Sequence, residues 1–227
     1  MKNSIKSFLF IITLITIVIL GAYLKFNYKT IDTTSVGILY KTVIIDPGHG
    51  GFDPGKPGIN GEDEKHLNLK IALKLREELE KVGVKVLMTR TTDDDVDGMD
   101  GVKHKSKDMQ QRKKLAEGGD ILVSIHQNSF TQESIRGAQV FYSRESSSGK
   151  KLADCIQKSI KDNVDKSNKR VAKNNTNYYV LRAVKIPSVI VECGFLTNTE
   201  EEKLLNTESY QEAMARGIYL GICDYFK

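Results

Sequence analysis

Cysteine is scarce in this chain: Cys155, Cys193 and Cys223 are the only three among 227 residues. Their number is odd and none forms a CxxC pair, which argues against a disulfide framework. Cys155 and Cys223 are expected to be small buried apolar side chains. Internal repeats are also lacking. So is a strong charge of one sign, once the N-terminus is set apart. Residues 1–30 hold Lys2, Lys6, Lys25 and Lys29 and no acid, so only +1 of the formal +5 belongs to the rest. A body this close to neutral gives no electrostatic reason to expect nucleic acid.

There is one long apolar run. Residues 8–24, FLFIITLITIVILGAYL, follow Lys2 and Lys6 in the layout of an export signal or membrane anchor. At 17 residues the run lies at the lower limit for a span. The expected organisation is a signal or anchor over 1–30, a polar linker over 31–41 and one folded domain over 42–227, long enough for a sizeable core. The domain is expected to act outside the cytoplasm, tied to the membrane if the leader is not cleaved.

Within the body, short Val- and Ile-rich runs alternate with helical patterns. The runs are 43–45, 84–88, 121–125, 138–142 and 188–191. After the first comes HLNLKIALKLREELEKVG, in which Leu67, Ile71, Leu75, Leu79 and Val82 mark one helical face and Gly83 a stop. Further helices are expected over 108–117, 150–164 and 208–226. The alternation predicts an α/β fold, a mainly parallel central sheet with helices on both faces. Two polar stretches read as surface loops. The acid-rich segment 93–108 lacks the bidentate glutamate a calcium loop requires, and 166–179 has no apolar pattern.

The stretch VIIDPGHGG, 43–51, packs a proline, a histidine and three glycines against the end of a strand. Ligands of open parallel sheets bind at the carboxyl ends of strands. His49, His126 and Glu192 fall at such ends, and Glu64 begins the helix whose N-terminus faces the same edge. Taken singly, His49 reads as a turn histidine, His126 as a strand-end histidine and Glu64 as a helix N-terminal acid favoured by the dipole. Their convergence on one rim gives a second reading. Two histidines and a carboxylate make a zinc set that leaves a position for water. The turn glycines and Pro47 then form a rigid seat for His49, and the spare carboxylate takes the water's proton and passes it to the leaving amine. Cys193 adjoins Glu192, but strand neighbours point to opposite faces, so a structural role is expected. His66 and His104 are expected to be exposed.

With these residues in view the chain resembles a family. DPGHGG at 46–51, EKHLNL at 64–69, TRTTD at 89–93, SIHQN at 124–128 and VECGFLTN at 191–198 follow the order and spacing of the zinc-dependent N-acetylmuramoyl-L-alanine amidases. The resemblance implies a twisted sheet flanked by helices, with His49, Glu64 and His126 as zinc ligands and Glu192 as the catalytic acid. It implies cleavage of the amide between the lactyl group of muramic acid and L-alanine in peptidoglycan. Gln127 departs from the commonest pattern, in which a small residue follows the histidine; with Asn128 it is expected to face substrate. No wall-binding repeat accompanies the catalytic body. A short body behind an apolar leader resembles the germination-specific amidases of spore formers, which strip peptides so that muramic-δ-lactam forms in the cortex. An accessory protein controlling activity or zinc binding fits so small a site. The rival readings are a zinc metallopeptidase acting on stem peptides and a non-catalytic wall-binding protein.

Overall fold

The computed structural model describes residues 37–59, 61–94 and 105–227, and before them only Lys6, Thr13 and residues 15–18. Most of the apolar run 8–24, and His104 with most of the acid-rich loop, therefore lie outside the described residues. Among those described, no helix is long and apolar enough to cross a membrane. The chain divides into two units, Met1–Thr33 and Thr34–Lys227, and the second carries the sheet.

Six strands form that sheet: β1 (Thr42–Pro47), β2 (Lys85–Met88), β3 (Ile121–Asn128), β4 (Gln139–Tyr142), β5 (Lys173–Asn174) and β6 (Ser188–Phe195), in the order β2-β1-β3-β6-β4-β5. Every pairing is parallel except β4 with β6. Among the described residues six helices surround it: α1 (Glu64–Lys81), α2 (Lys105–Ala116), α3 (Ser147–Asn163), α4 (Tyr179–Ala183), α5 (Thr199–Leu205) and α6 (Glu208–Tyr225). The mainly parallel α/β architecture is the one expected. The short elements β5, α4 and α5 are additions.

Alternation along the strands sorts side chains onto two unequal faces. Val43 and Ile45, Val123 and Ile125, and Val189, Val191 and Cys193 join the larger core. There they meet Leu67, Ile71, Leu75 and Leu79 of α1, together with α3 and α6. Each such fully buried side chain contributes roughly 1.5–3 kcal/mol relative to exposure. Gly83, at φ 85°, closes the end of α1 in a conformation that disfavours other residues. Ile38, in the turn over 37–40, is fully buried in the same core.

The opposite face is thinner. Ile44, Leu122, Phe141 and Ile190 meet Ala116 of α2 and Val180 and Leu181 of α4, with the partly buried Leu87, Tyr178, Val184 and Ile186 packed against them. Further along the same strands, that face carries Asp46, Ser124, His126 and Glu192. Short cover leaves the carboxyl ends of the strands open above them.

Candidate metal centre

The seat begins with Asp46, 2% exposed at the end of β1. Its carboxylate accepts from Thr89 Oγ1 at 2.7 Å, from Ser124 Oγ at 2.7 Å and from the guanidinium of Arg112. Burial alone would raise its pKa. The Arg112 charge and then the two hydroxyl bonds hold it below the ordinary carboxylate value. Arg112 also donates to the carbonyls of Pro47 at 3.0 Å and His49 at 2.8 Å. Arg90 adds bonds to Pro47 O at 3.1 Å and Gly48 O at 3.0 Å. Three successive carbonyls are thus tied to two buried arginines. The turn so fixed carries His49 at φ 61°, the sole non-glycine with positive φ among the described residues. Gly48 is needed for a different reason. A Cβ there would lie 2.2 Å from the ring of His126, so only glycine lets the two histidines stand together.

His49 and His126 pack edge to face, with ring centroids 5.0 Å apart. Glu64, the first residue of α1 and 4% exposed, reaches between them. Its Oε1 lies 3.2 Å from His49 Nε2 and 3.0 Å from His126 Nδ1. Donor atoms of His49, Glu64 and His126 all fall within 4.8 Å of one another. The far nitrogen of His49, Nδ1, stands 3.0 Å from Asp53 Oδ2, so a carboxylate fixes the ring from behind, as it does for many metal-binding histidines. Burial disfavours charge on His49, but the bonds to Asp53 and Glu64 outweigh it and raise its pKa to about 9. Glu64 is buried too, yet His126 and His49 hold its carboxyl far below the ordinary range.

Glu192 lies beside His126 across the parallel β3 and β6 pairing. It is 5% exposed, and its Oε1 accepts from the hydroxyl of Tyr178 at 2.9 Å. Burial pushes its pKa up, and Glu64 pushes the same way against His126. A cleft of about 140 Å³ opens beside these groups, lined by His49, His126, Asp53, Tyr178, Tyr179 and Val180 among others. Cys193 faces the larger core and is fully buried, with a thiol pushed up by that burial. Cys223 is buried and Cys155 half-buried, and no disulfide joins any of the three cysteines.

Gln127 is placed differently from expectation. The same alternation that aims His126 into the cleft turns Gln127 to the opposite face, where its Nε2 donates to Asn68 Oδ1 at 3.1 Å. Asn68, fully buried on α1, donates in turn to Glu64 Oε1 at 3.3 Å and Gly48 O at 3.1 Å. Gln127 therefore supports the Glu64 side of the centre and does not narrow the cleft. Asn128 stands where the β3 and β6 register shifts, its Oδ1 accepting from Ser129 N. His66 is half-buried beside Asp93, outside the donor cluster. Sequence reasoning missed Asp53, Asn68, Arg90, Arg112 and Tyr178. For the arginines a signal existed only in part, since a buried arginine must be paired but burial is not visible in a polar helix such as KSKDMQQRKKLA.

A mainly parallel sheet with a His–Glu–His cluster able to hold a metal and a spare buried carboxylate on its carboxyl rim is the arrangement of a hydrolase built on an α/β sheet. Comparison with known proteins narrows this. A family model described as N-acetylmuramoyl-L-alanine amidase matches residues 43–224, and the chain belongs to that family, whose substrate is peptidoglycan. It is 32% identical over 231 residues to the germination-specific N-acetylmuramoyl-L-alanine amidase of Bacillus subtilis (strain 168), covering 100% of this chain and 97% of the relative. Among solved structures, the CwlD amidase from Clostridioides difficile, in complex with the GerS lipoprotein, superposes with a TM-score of 0.78 at 41% identity, covering 82% of this chain and 98% of that one. An N-acetylmuramoyl-L-alanine amidase from Clostridium difficile 630 gives 0.72 at 36% identity, with 82% and 96% covered.

Proposed function

We propose that this chain is a zinc-dependent amidase that removes stem peptides from muramic acid in the spore cortex, acting outside the cytoplasm. In this reading residues 1–30 export or anchor it, 31–41 form a linker and 42–227 the catalytic domain. The observation that carries the proposal is the donor cluster of His49, Glu64 and His126 with Glu192 beside it on the neighbouring strand. The donor set suits zinc of the catalytic kind, with three ligands and an open position. The shape of the seat agrees, because Gly48 leaves room for the second ring and Asp53 orients the first. So does Glu192 Oε2, a buried carboxylate oxygen without a partner among the described residues.

Zinc held there would supply a Lewis acid and lower the pKa of a water. The chain supplies the rest. Glu192, with its pKa raised by burial, takes a proton from the attacking water and returns it to the L-alanine nitrogen as the carbon–nitrogen bond breaks. No serine or cysteine nucleophile is required. Asn128 stays a proposed contact to substrate at the rim. The CwlD relative, solved with the GerS lipoprotein, supports an accessory extracytoplasmic protein controlling activity or zinc binding here as well.

Mass spectrometry of muropeptides after treating purified peptidoglycan with the zinc-loaded protein tests the reading. Muramic acid freed of its peptide, with new L-alanine amino termini, is the expected product. Cuts confined to the stem peptide would make the chain a metallopeptidase instead.

A further inference from the structure

Glu192 is held unevenly. Its Oε1 accepts the Tyr178 hydroxyl at 2.9 Å, while its Oε2 is buried with no partner among the described residues. A fold that merely stored this carboxylate would satisfy both oxygens, because buried acceptors are almost always bonded. The hydroxyl is itself delivered by a built path. Edge strand β5 pairs with β4, and the next residue, Asn175, donates from its backbone to Tyr142 O at 2.9 Å. The side-chain Oδ1 of Asn175 then accepts from Asn177 N at 2.7 Å and Tyr178 N at 3.3 Å. The phenol ring rests edge-on against Phe141 of β4 at 5.6 Å. Phe141 lies opposite Ile190 of β6, two residues before Glu192. Ring, loop and carboxylate are therefore referenced to the same two strands.

We infer that Tyr178 is a positioning residue for the amide hydrolysis: its hydroxyl holds Glu192 by Oε1, so that Oε2 alone is left to exchange the proton with the reacting water and the leaving nitrogen. The inference rests on the reading of Glu192 as the proton carrier. It gives the polar run 166–179 a task, since that loop and the two-residue strand within it bring the Tyr178 hydroxyl to Glu192. Tyr178 stays a donor throughout, because burial and the neighbouring Glu192 carboxylate push its pKa above the ordinary phenol value.

The test is Tyr178→Phe in the full-length, zinc-loaded protein, a change that keeps the ring and removes the hydroxyl. The expected result is unchanged zinc content, KM within about twofold and kcat lowered about 10- to 100-fold, as for a reacting group left out of register. A merely structural tyrosine would change KM, zinc content and thermal stability together. The double variant with Glu192→Gln separates the two further. If Tyr178 acts through Glu192, adding Tyr178→Phe to Glu192→Gln costs nothing more, whereas a multiplicative second loss overturns the inference. Unaltered kcat in Tyr178→Phe, with Glu192→Gln inactive, overturns the role of Tyr178 and leaves that of Glu192 standing. Activity retained in Glu192→Gln removes the underlying reading itself.

Discussion

His49 occupies the left-handed region at φ 61°, which costs a non-glycine residue about 1–2 kcal/mol. Bonds from Arg112 and Arg90 to the carbonyls of Pro47, Gly48 and His49 offset that cost. At the scale of residues, then, the site depends on groups outside the donor cluster. Asp53→Asn, which weakens the support behind His49, should lower zinc affinity about 10- to 100-fold while leaving the fold intact. Competition with a zinc-sensitive chelator measures it, and an unchanged affinity would remove Asp53 from the centre. Asp46→Asn should cost about 3–5 kcal/mol at pH 7, because it leaves Arg112 buried without its anion. Asp46 has a depressed pKa, so its contribution is present above its ordinary value of about 3.8 and disappears as pH falls through the lower folded value. Denaturant unfolding should therefore show the gap between wild type and variant at pH 7 narrowing only below about pH 3.8. His49, Glu64, His126 and Glu192 were legible in the sequence because strand ends and a helix start could be located from apolar runs. Asp53, Arg112 and Tyr178 were not. Their roles come from contacts between residues 4 to 66 positions apart, in loops and a polar helix without periodicity.

Elements set where those residues can stand. Helix α1 was legible from Leu67, Ile71, Leu75 and Leu79 at helical spacing, all now fully buried. The long strands were legible as buried Val and Ile runs. Strand β5 and helices α4 and α5 were not, since two, five and seven residues are too few to show a period. Gln127 shows how a register can be known and still misapplied. His126 in the cleft requires its neighbour to face α1, and it does. Because α1 bears Glu64 on its first turn and its apolar face in the core, packing and ligand placement are linked. Ile71→Ala should destabilise the domain by about 2–5 kcal/mol and leave zinc stoichiometry unchanged below the unfolding transition. Calorimetry with metal analysis checks this; zinc lost from protein that is still folded would show that α1 positions Glu64 less rigidly than its burial implies.

On the scale of the whole molecule, both hydrophobic cores, among the described residues, are built from residues 38–226. A chain beginning at Thr34 should consequently fold with a cooperative transition, and failure to do so under any condition would give the leader a structural part. The central claim concerns division of labour at the rim: three residues hold the metal and a fourth moves the proton. It is tested most directly by measuring zinc content and amide hydrolysis on one preparation of Glu192→Gln. Full zinc with the rate lowered about 10²- to 10⁴-fold is the result predicted. Zinc lost together with activity would place Glu192 among the ligands, and full zinc with full activity would contradict its role outright.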